Sequence, residues 1–351
     1  MNQSLVIVRP FDPHVHFRDG PIMGVVAPIV ARYCQAAIAM PNTDPPILIG
    51  IQAHEYARRI EEASNDPNFR VFSAVKLTAD TKPADVAEWQ EYGIKLAKLY
   101  PTGVTNNSAD GVVDPLSSSM LEVYREMENV GIILSIHGEL PGVHRVVAEQ
   151  QFLPIFRKIV DGCGSLKVVL EHISTAQAVD VVKGCGSNVA ATITPQHLKM
   201  TAEDVFEPFG IGFHNYCRPT AKKPYDREKL REAAMSGSGE FFLGSDFAPH
   251  LELAKLAAEP AAGVCNYPAM LPFLATLFES YECMDQLEAF TSARAAEFYG
   301  VGLRDEQITL ERKPFTVPKS IPLAGTKGSD PSQRIIPWLA GEKLAWSVKT
   351  A

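Results

Sequence analysis

Eight short apolar runs alternate along this 351-residue chain with longer segments patterned for helices, and that alternation narrows its fold more than any other feature. The runs cover residues 5–8 running on toward 16, then 36–40, 71–77, 94–100, 132–137, 166–172, 189–194 and 241–246. Strands separated by helices return to the sheet in the same direction, so alternation of this kind predicts a parallel sheet. Eight such units predict an α/β fold of the (β/α)8 TIM-barrel type, with its chemistry at the C-terminal ends of the strands. The length suits one barrel domain over residues 1–351. Within it, the segment from about 314 to 351 is expected to wrap the barrel, with an apolar stretch over 338–348 docking back onto the body.

Polar residues collect at the same end of these runs. The first leads into DPHVHFRDG at 12–20. Side chains alternate faces along a strand, so His14 and His16 point the same way and can reach one metal ion. Arg18 continues that parity and sets a cation beside the pair. Other runs end in His137, in His172 and in Asp246, with His250 close behind. One strand-ending histidine is commonly a hydrogen-bonded structural residue. Four histidines and an aspartate at one end of four strands predict convergence on a barrel axis as metal ligands.

Lys98 shares a face with Ile94, Leu96 and Tyr100. A lysine aimed into a barrel mouth faces the cost of burying a charge. Three outcomes are open to it: neutrality with a depressed pKa, an ammonium that reaches solvent along its own stem, or reaction with carbon dioxide. The last gives a carbamate, a bidentate oxygen ligand able to bridge two metals.

The net charge of -8 disfavours a nucleic-acid partner and requires any positive charge for an anionic substrate to be local. Six scattered cysteines without a C-x-x-C pair are expected to stay reduced. With no basic-then-apolar leader and no apolar run of ~18 residues, the expected location is the cytoplasm, away from membranes.

The stretches DPHVHFRDG, AIAMPNTDPP, KLAKLYP, SIHGE, LEHIST, ATITPQHL and LGSDFAPH occur in this order across nearly the whole chain. Together they resemble the amidohydrolase superfamily and, within it, the class II dihydroorotases. The H-x-H pair is shared widely in that superfamily; HFRD, MPN, AKLYP and SDFAPH narrow the likeness.

The resemblance implies a reversible, zinc-dependent cyclisation of N-carbamoyl-L-aspartate to L-dihydroorotate plus water, a step of de novo pyrimidine biosynthesis. It implies two Zn2+ per subunit, with His14, His16 and Asp246 on the more buried ion and His137 and His172 on the other. Lys98 as N6-carboxylysine and a hydroxide would bridge them, and Asp246 would be the catalytic proton carrier. Arg18, Asn42 and His250 match positions that hold the substrate carboxylate. Arg218 and Tyr267 match positions whose backbone groups contact the ring. The loop 101–110 matches a mobile lid in which Thr105 is the expected donor, and Asn106 stands where the family commonly has a second threonine. The resemblance also implies a homodimer.

Glu171 is expected to face away from the axis, and His197 to support the fold. Two rival readings remain. One is a hydantoinase- or dihydropyrimidinase-like amidase of uncharged rings, which gives Arg18, Asn42 and His250 no carboxylate to bind. The other is a catalytically silent scaffold, which the full ligand set opposes.

Overall fold

A computed structural model describes residues 4–206, 210–326, 328 and 330–349. Its strands are β1 (Ser4–Val8), β2 (Phe11–Val15), β3 (Ala36–Ala39), β4 (Arg70–Ser73), β5 (Val75–Lys76), β6 (Leu96–Leu99), β7 (Ile133–Ile136), β8 (Val168–Leu170), β9 (Val189–Ile193) and β10 (Phe241–Leu243). β2, β3 and β4 pair in parallel, and β5 through β10 form a second parallel run in chain order. β4 and β5 are one strand interrupted at Ala74, whose N–H still donates to Ala39 O at 3.0 Å. At the other edge Val15 pairs in parallel with Phe247, and His16 N donates to Phe247 O at 2.8 Å. These contacts close an eight-stranded parallel barrel.

The first apolar run does not continue into the barrel as expected from the sequence. β1 ends at Val8 and pairs antiparallel with β11 (Gln307–Glu311) in a separate sheet. Pro10, with no N–H to offer a ladder, lies between β1 and β2. The C-terminal segment adds short pairs: β12 (Phe315–Thr316) with β15 (Lys343–Leu344), β13 (Ile321–Pro322) with β14 (Arg334–Ile335), and β16 (Ser347–Val348) on β11. Trp338 and Trp346 are buried there, and Trp338 packs edge-on against Phe273 at 5.1 Å.

Helices follow the strands in turn, from Gly20–Tyr33 after β2 to Met270–Ser280 after β10. The first starts where Asp19 accepts from Gly20 N at 2.8 Å, a short acidic cap on otherwise unpaired amides. Apolar residues fill two layers. The outer one lies between strands and helices. The inner one is a barrel floor of Phe11, Ile38, Leu96, Ile133, Val169 and Phe242, closed from below by Phe298 and Tyr299. Two residues further up the strands the interior becomes polar, at Lys98, Ser135, Glu171 and Thr192.

Asp12 ties the closing seam. Its buried carboxylate accepts from Ser245 N at 3.0 Å, His14 N at 3.2 Å and Tyr267 Oη at 3.0 Å. Burial pushes its pKa up, against the pull of those donors. Asp12→Ala would leave three buried donors without an acceptor and should cost about 3 kcal/mol of stability. Urea unfolding measures this; an unchanged midpoint would mean that backbone pairing alone holds the seam.

Candidate metal centre

Strand parity delivers most of the centre. β6 sends Leu96, Lys98 and Tyr100 inward, and β7 sends Ile133, Ser135 and His137. On β2 a register shift between Asp12 and Val15 changes parity, so that the floor residue Phe11 and the pair His14 and His16 all face the interior. At two further positions the backbone itself turns. His172 and Asp246 have φ of 40° and 46°, in the left-handed region that costs an ordinary residue about 1–3 kcal/mol. Val169 and Glu171 follow parity inward, and the turn at His172 brings the next side chain in as well. Glu171 therefore does not face away from the axis.

The ligand atoms of His14, His16 and Asp246 lie within 4.8 Å of one another. Asp246 Oδ1 is 3.5 Å from His14 Nε2 and 3.1 Å from His16 Nε2. The His172 ring stands 5.1 Å from that of His14 and 4.8 Å from that of His137. All five side chains are buried. Two of the four imidazoles are held from behind by carboxylates. His14 Nδ1 donates to Glu171 Oε2 at 2.8 Å, and His137 Nε2 donates to Glu139 Oε2 at 2.8 Å. This is the carboxylate–histidine arrangement that fixes a tautomer and raises ligand basicity. Glu171 also accepts from Ser135 Oγ and, at 2.6 Å, from Thr192 Oγ1.

Burial lowers the His16 pKa to about 4, opposed by Asp246, so its imidazole is neutral with a lone pair to give. Burial pushes Asp246 up, but the His16 bond and the charges of His14, His16 and Lys98 outweigh it and hold the carboxylate below its usual range. Burial likewise raises Glu171, and Lys98 and His14 more than reverse it, to about 2. Lys98 is lowered by burial to about 8, against Glu171 and Asp246. Its Nζ and His172 Nδ1 have no hydrogen-bond partner among the described residues. Imidazoles converging beside a carboxylate, with orphaned nitrogens among them, form a donor set suited to divalent metal.

One side of the centre is cationic. Arg18, with φ of 63°, places Nη2 2.8 Å from His250 Nε2, and its Nε donates to Pro249 O at 3.0 Å. Asn42 lies alongside, its Oδ1 unpartnered among the described residues. Thr105 and Asn106 reach over the same cavity, and Arg218 borders it. Arg218 also donates to Val104 O in the loop. Asn106, rather than Thr105, crosses the mouth. Its Nδ2 donates to Ala262 O at 2.6 Å and lies 3.3 Å from His250 Nε2.

Tyr267 does not line this cavity; its hydroxyl is committed to Asp12 and Cys34. His197 is buried between Thr194 Oγ1 at 2.8 Å and Pro219 O at 3.0 Å, as a supporting residue. The sequence reading missed Tyr100, whose buried hydroxyl is unpartnered among the described residues, and the wall at Ala262 and Gly263. At Gly263, with φ of +147°, a Cβ would come within 2.5 Å of Ala248 O, which only glycine avoids.

No protein-family model matches the chain. A dihydroorotase of Erythrobacter litoralis (strain HTCC2594) is 39% identical over 354 residues, covering 99% of this chain and 100% of that protein. A dihydroorotase of Shewanella sediminis (strain HAW-EB3) is 37% identical over 99% of both. Among solved structures, dihydroorotase from Saccharomyces cerevisiae in complex with 5-fluoroorotic acid matches with a TM-score of 0.90 and 32% identity, over 99% of this chain and 98% of that one. L-Hydantoinase (dihydropyrimidinase) from Arthrobacter aurescens, at 15% identity and a TM-score of 0.78 over 98% of this chain and 83% of that one, shares the fold.

Glu171 is not itself an expected ligand but hydrogen-bonds His14 and lies 4.0 Å from the Lys98 ammonium, which makes it a test of how the ligands are held. Glu171→Gln should weaken metal affinity by about 10–100-fold while the barrel stays folded. Competition with a chromophoric chelator reads this directly, and wild-type affinity in the variant would mean that His14 needs no carboxylate behind it.

Proposed function

The chain belongs to the dihydroorotase family, metal-dependent cyclic amidohydrolases, and from that premise we propose that it interconverts N-carbamoyl-L-aspartate and L-dihydroorotate. The observation that carries this reading is the Arg18–His250 pair beside Asn42, facing the histidine cluster across one cavity. A guanidinium, an amide and an imidazole together form a charge-assisted donor set for a carboxylate. An uncharged hydantoin or dihydrouracil ring leaves that set without a partner.

Two zinc ions fit the donors. His14, His16 and Asp246 would hold one; His137 and His172 would hold the other; Lys98, carboxylated on Nζ, would serve both. When bound, the pair supplies Lewis acidity that makes water nucleophilic near neutral pH and polarises the ring amide carbonyl. Lys98 suits carboxylation because its amine is buried and drawn toward the neutral form. A neutral amine adds carbon dioxide and releases a proton to become the carbamate.

Asp246 takes the proton of the attacking water and returns it to the leaving ring nitrogen; in the direction of synthesis the same transfers run in reverse. Arg18, Asn42 and His250 hold the carboxylate, so the ring cannot turn. Arg218, which borders the cavity, offers a backbone group to the ring, whereas Tyr267, outside the cavity, serves the seam through its hydroxyl. The loop 101–110, with Thr105 and Asn106, excludes water once the ring is in place.

We take residues 1–351 as one barrel domain with its tail from about 314, working as a homodimer in the cytoplasm, as the family resemblance suggests. No helix among the described residues is long and apolar enough to cross a membrane.

Zinc-loaded protein should open L-dihydroorotate and leave hydantoin and dihydrouracil nearly untouched. Arg18→Met should lower kcat/KM by about 100-fold, roughly 2.7 kcal/mol, with metal content unchanged. Normal turnover in that variant would remove the carboxylate assignment, and a preference for hydantoin would replace the reading altogether. Lys98→Ala should lose activity and metal together, with part of the activity restored by a short carboxylic acid. An active, metal-loaded Lys98→Ala protein would exclude the carbamate.

A further inference from the structure

A second buried lysine stands beside the first. Lys76 on β5 is in register with Lys98 on β6, and its side chain is 0% exposed. The two ammonium groups differ in what they meet. Lys98 Nζ has no hydrogen-bond partner among the described residues. Lys76 Nζ donates to Asn107 O at 2.8 Å and pairs with the Asp110 carboxylate, both in the loop over the cavity. A strand of the rigid barrel thus holds the loop through a buried charge.

Asn107 carries that grip toward the substrate side. Its φ of 51° is one that asparagine tolerates better than most residues. Its Nδ2 donates to Asn42 O at 3.1 Å, and Asn42 Nδ2 donates back to Asn106 O at 3.3 Å. Asn106 then spans the mouth to Ala262 and His250. Two of the three groups assigned to the substrate carboxylate, Asn42 and His250, are therefore braced by the loop that Lys76 holds.

The cavity under the loop leaves only about 20 Å³ for the centres of water-sized molecules, room for about one water. A six-membered ring does not enter unless the loop lifts. Lifting it at Asn107 and Asp110 takes both partners from an ammonium that is otherwise enclosed, so the open state is penalised until water reaches Lys76.

We infer that Lys76 is a positioning residue, which through Asn107 and Asp110 holds the loop closed and so sets Asn42, Asn106 and His250 for substrate. The link is broken and remade as the loop opens and closes. Its consequence for turnover rests on the proposed dihydroorotase reading; its effect on the loop does not.

The test compares metal-loaded wild type with Lys76→Met, Asp110→Asn and the double variant. Hydrogen exchange is followed without substrate at the amides of Gly103, Gly111 and Val112, which bond to Ser108 O at 2.8 Å, Ser108 O at 3.0 Å and Tyr100 O at 2.8 Å. Each single change should speed exchange there by about 5-fold or more, with exchange in the barrel strands and metal content unchanged. Because both act through one link, the double variant should exchange no faster than the faster single one.

With L-dihydroorotate, kcat should fall by about 5–10-fold in each single variant, again without further loss in the double. Unchanged exchange in both single variants overturns the inference, as do effects that multiply in the double variant. The Asp110 side chain is 48% exposed, so Asp110→Asn decides the matter if Lys76→Met fails to fold. Faster loop exchange in a protein whose wild type ignores L-dihydroorotate would sustain the latch and remove the proposed function.

Discussion

One buried carboxylate joins most of the barrel mouth. Glu171 stands just beyond β8, accepts from Ser135 on β7 and Thr192 on β9, receives His14 from β2, and lies 4.0 Å from the Lys98 ammonium on β6. A charge this deep is tolerated only when it is paired and fully hydrogen-bonded. Here its partners come from four other strands, so satisfying Glu171 fixes those strands relative to one another. His14 is oriented as a by-product of the same requirement, and the other candidate ligands inherit a frame that is already rigid.

The apolar floor makes this arrangement affordable. Phe11, Ile38, Leu96, Ile133, Val169 and Phe242 fill the interior below the site, and Phe298 and Tyr299 close it from beneath. Water is kept from the polar layer on that side, which strengthens every electrostatic interaction above it. The same exclusion depresses the pKa of Lys98 and keeps His16 neutral. The floor and the reactive layer are thus one design, separated by a single step of strand parity.

Much of this was legible in the sequence. Alternation gave the barrel, and parity set His14 with His16 and Lys98 with Leu96 and Tyr100. What escaped it had three physical sources. The residues of β1 are apolar and strand-like, but their partner β11 lies some 300 positions along the chain, and no local pattern reports such a pairing. Glu171 and His172 are neighbours that both face inward, which strict alternation forbids and a φ of 40° permits. Lys76 reads as an ordinary strand residue until the loop carrying Asn107 and Asp110 is laid over it. Motif likeness placed Tyr267 near the substrate, but only coordinates show that its hydroxyl belongs to the closing seam.

The left-handed backbone at His172 and Asp246 carries a consequence for how such a protein can change. Both positions hold side chains proposed here as metal ligands, in a conformation that glycine would adopt without strain. Drift toward glycine there relaxes the backbone and removes a candidate ligand in one step. A lineage released from its chemistry would be drawn downhill in conformational energy at these two positions, toward a sturdier barrel with an incomplete donor set. Keeping a histidine and an aspartate in place needs continued selection against the chain's own local preference.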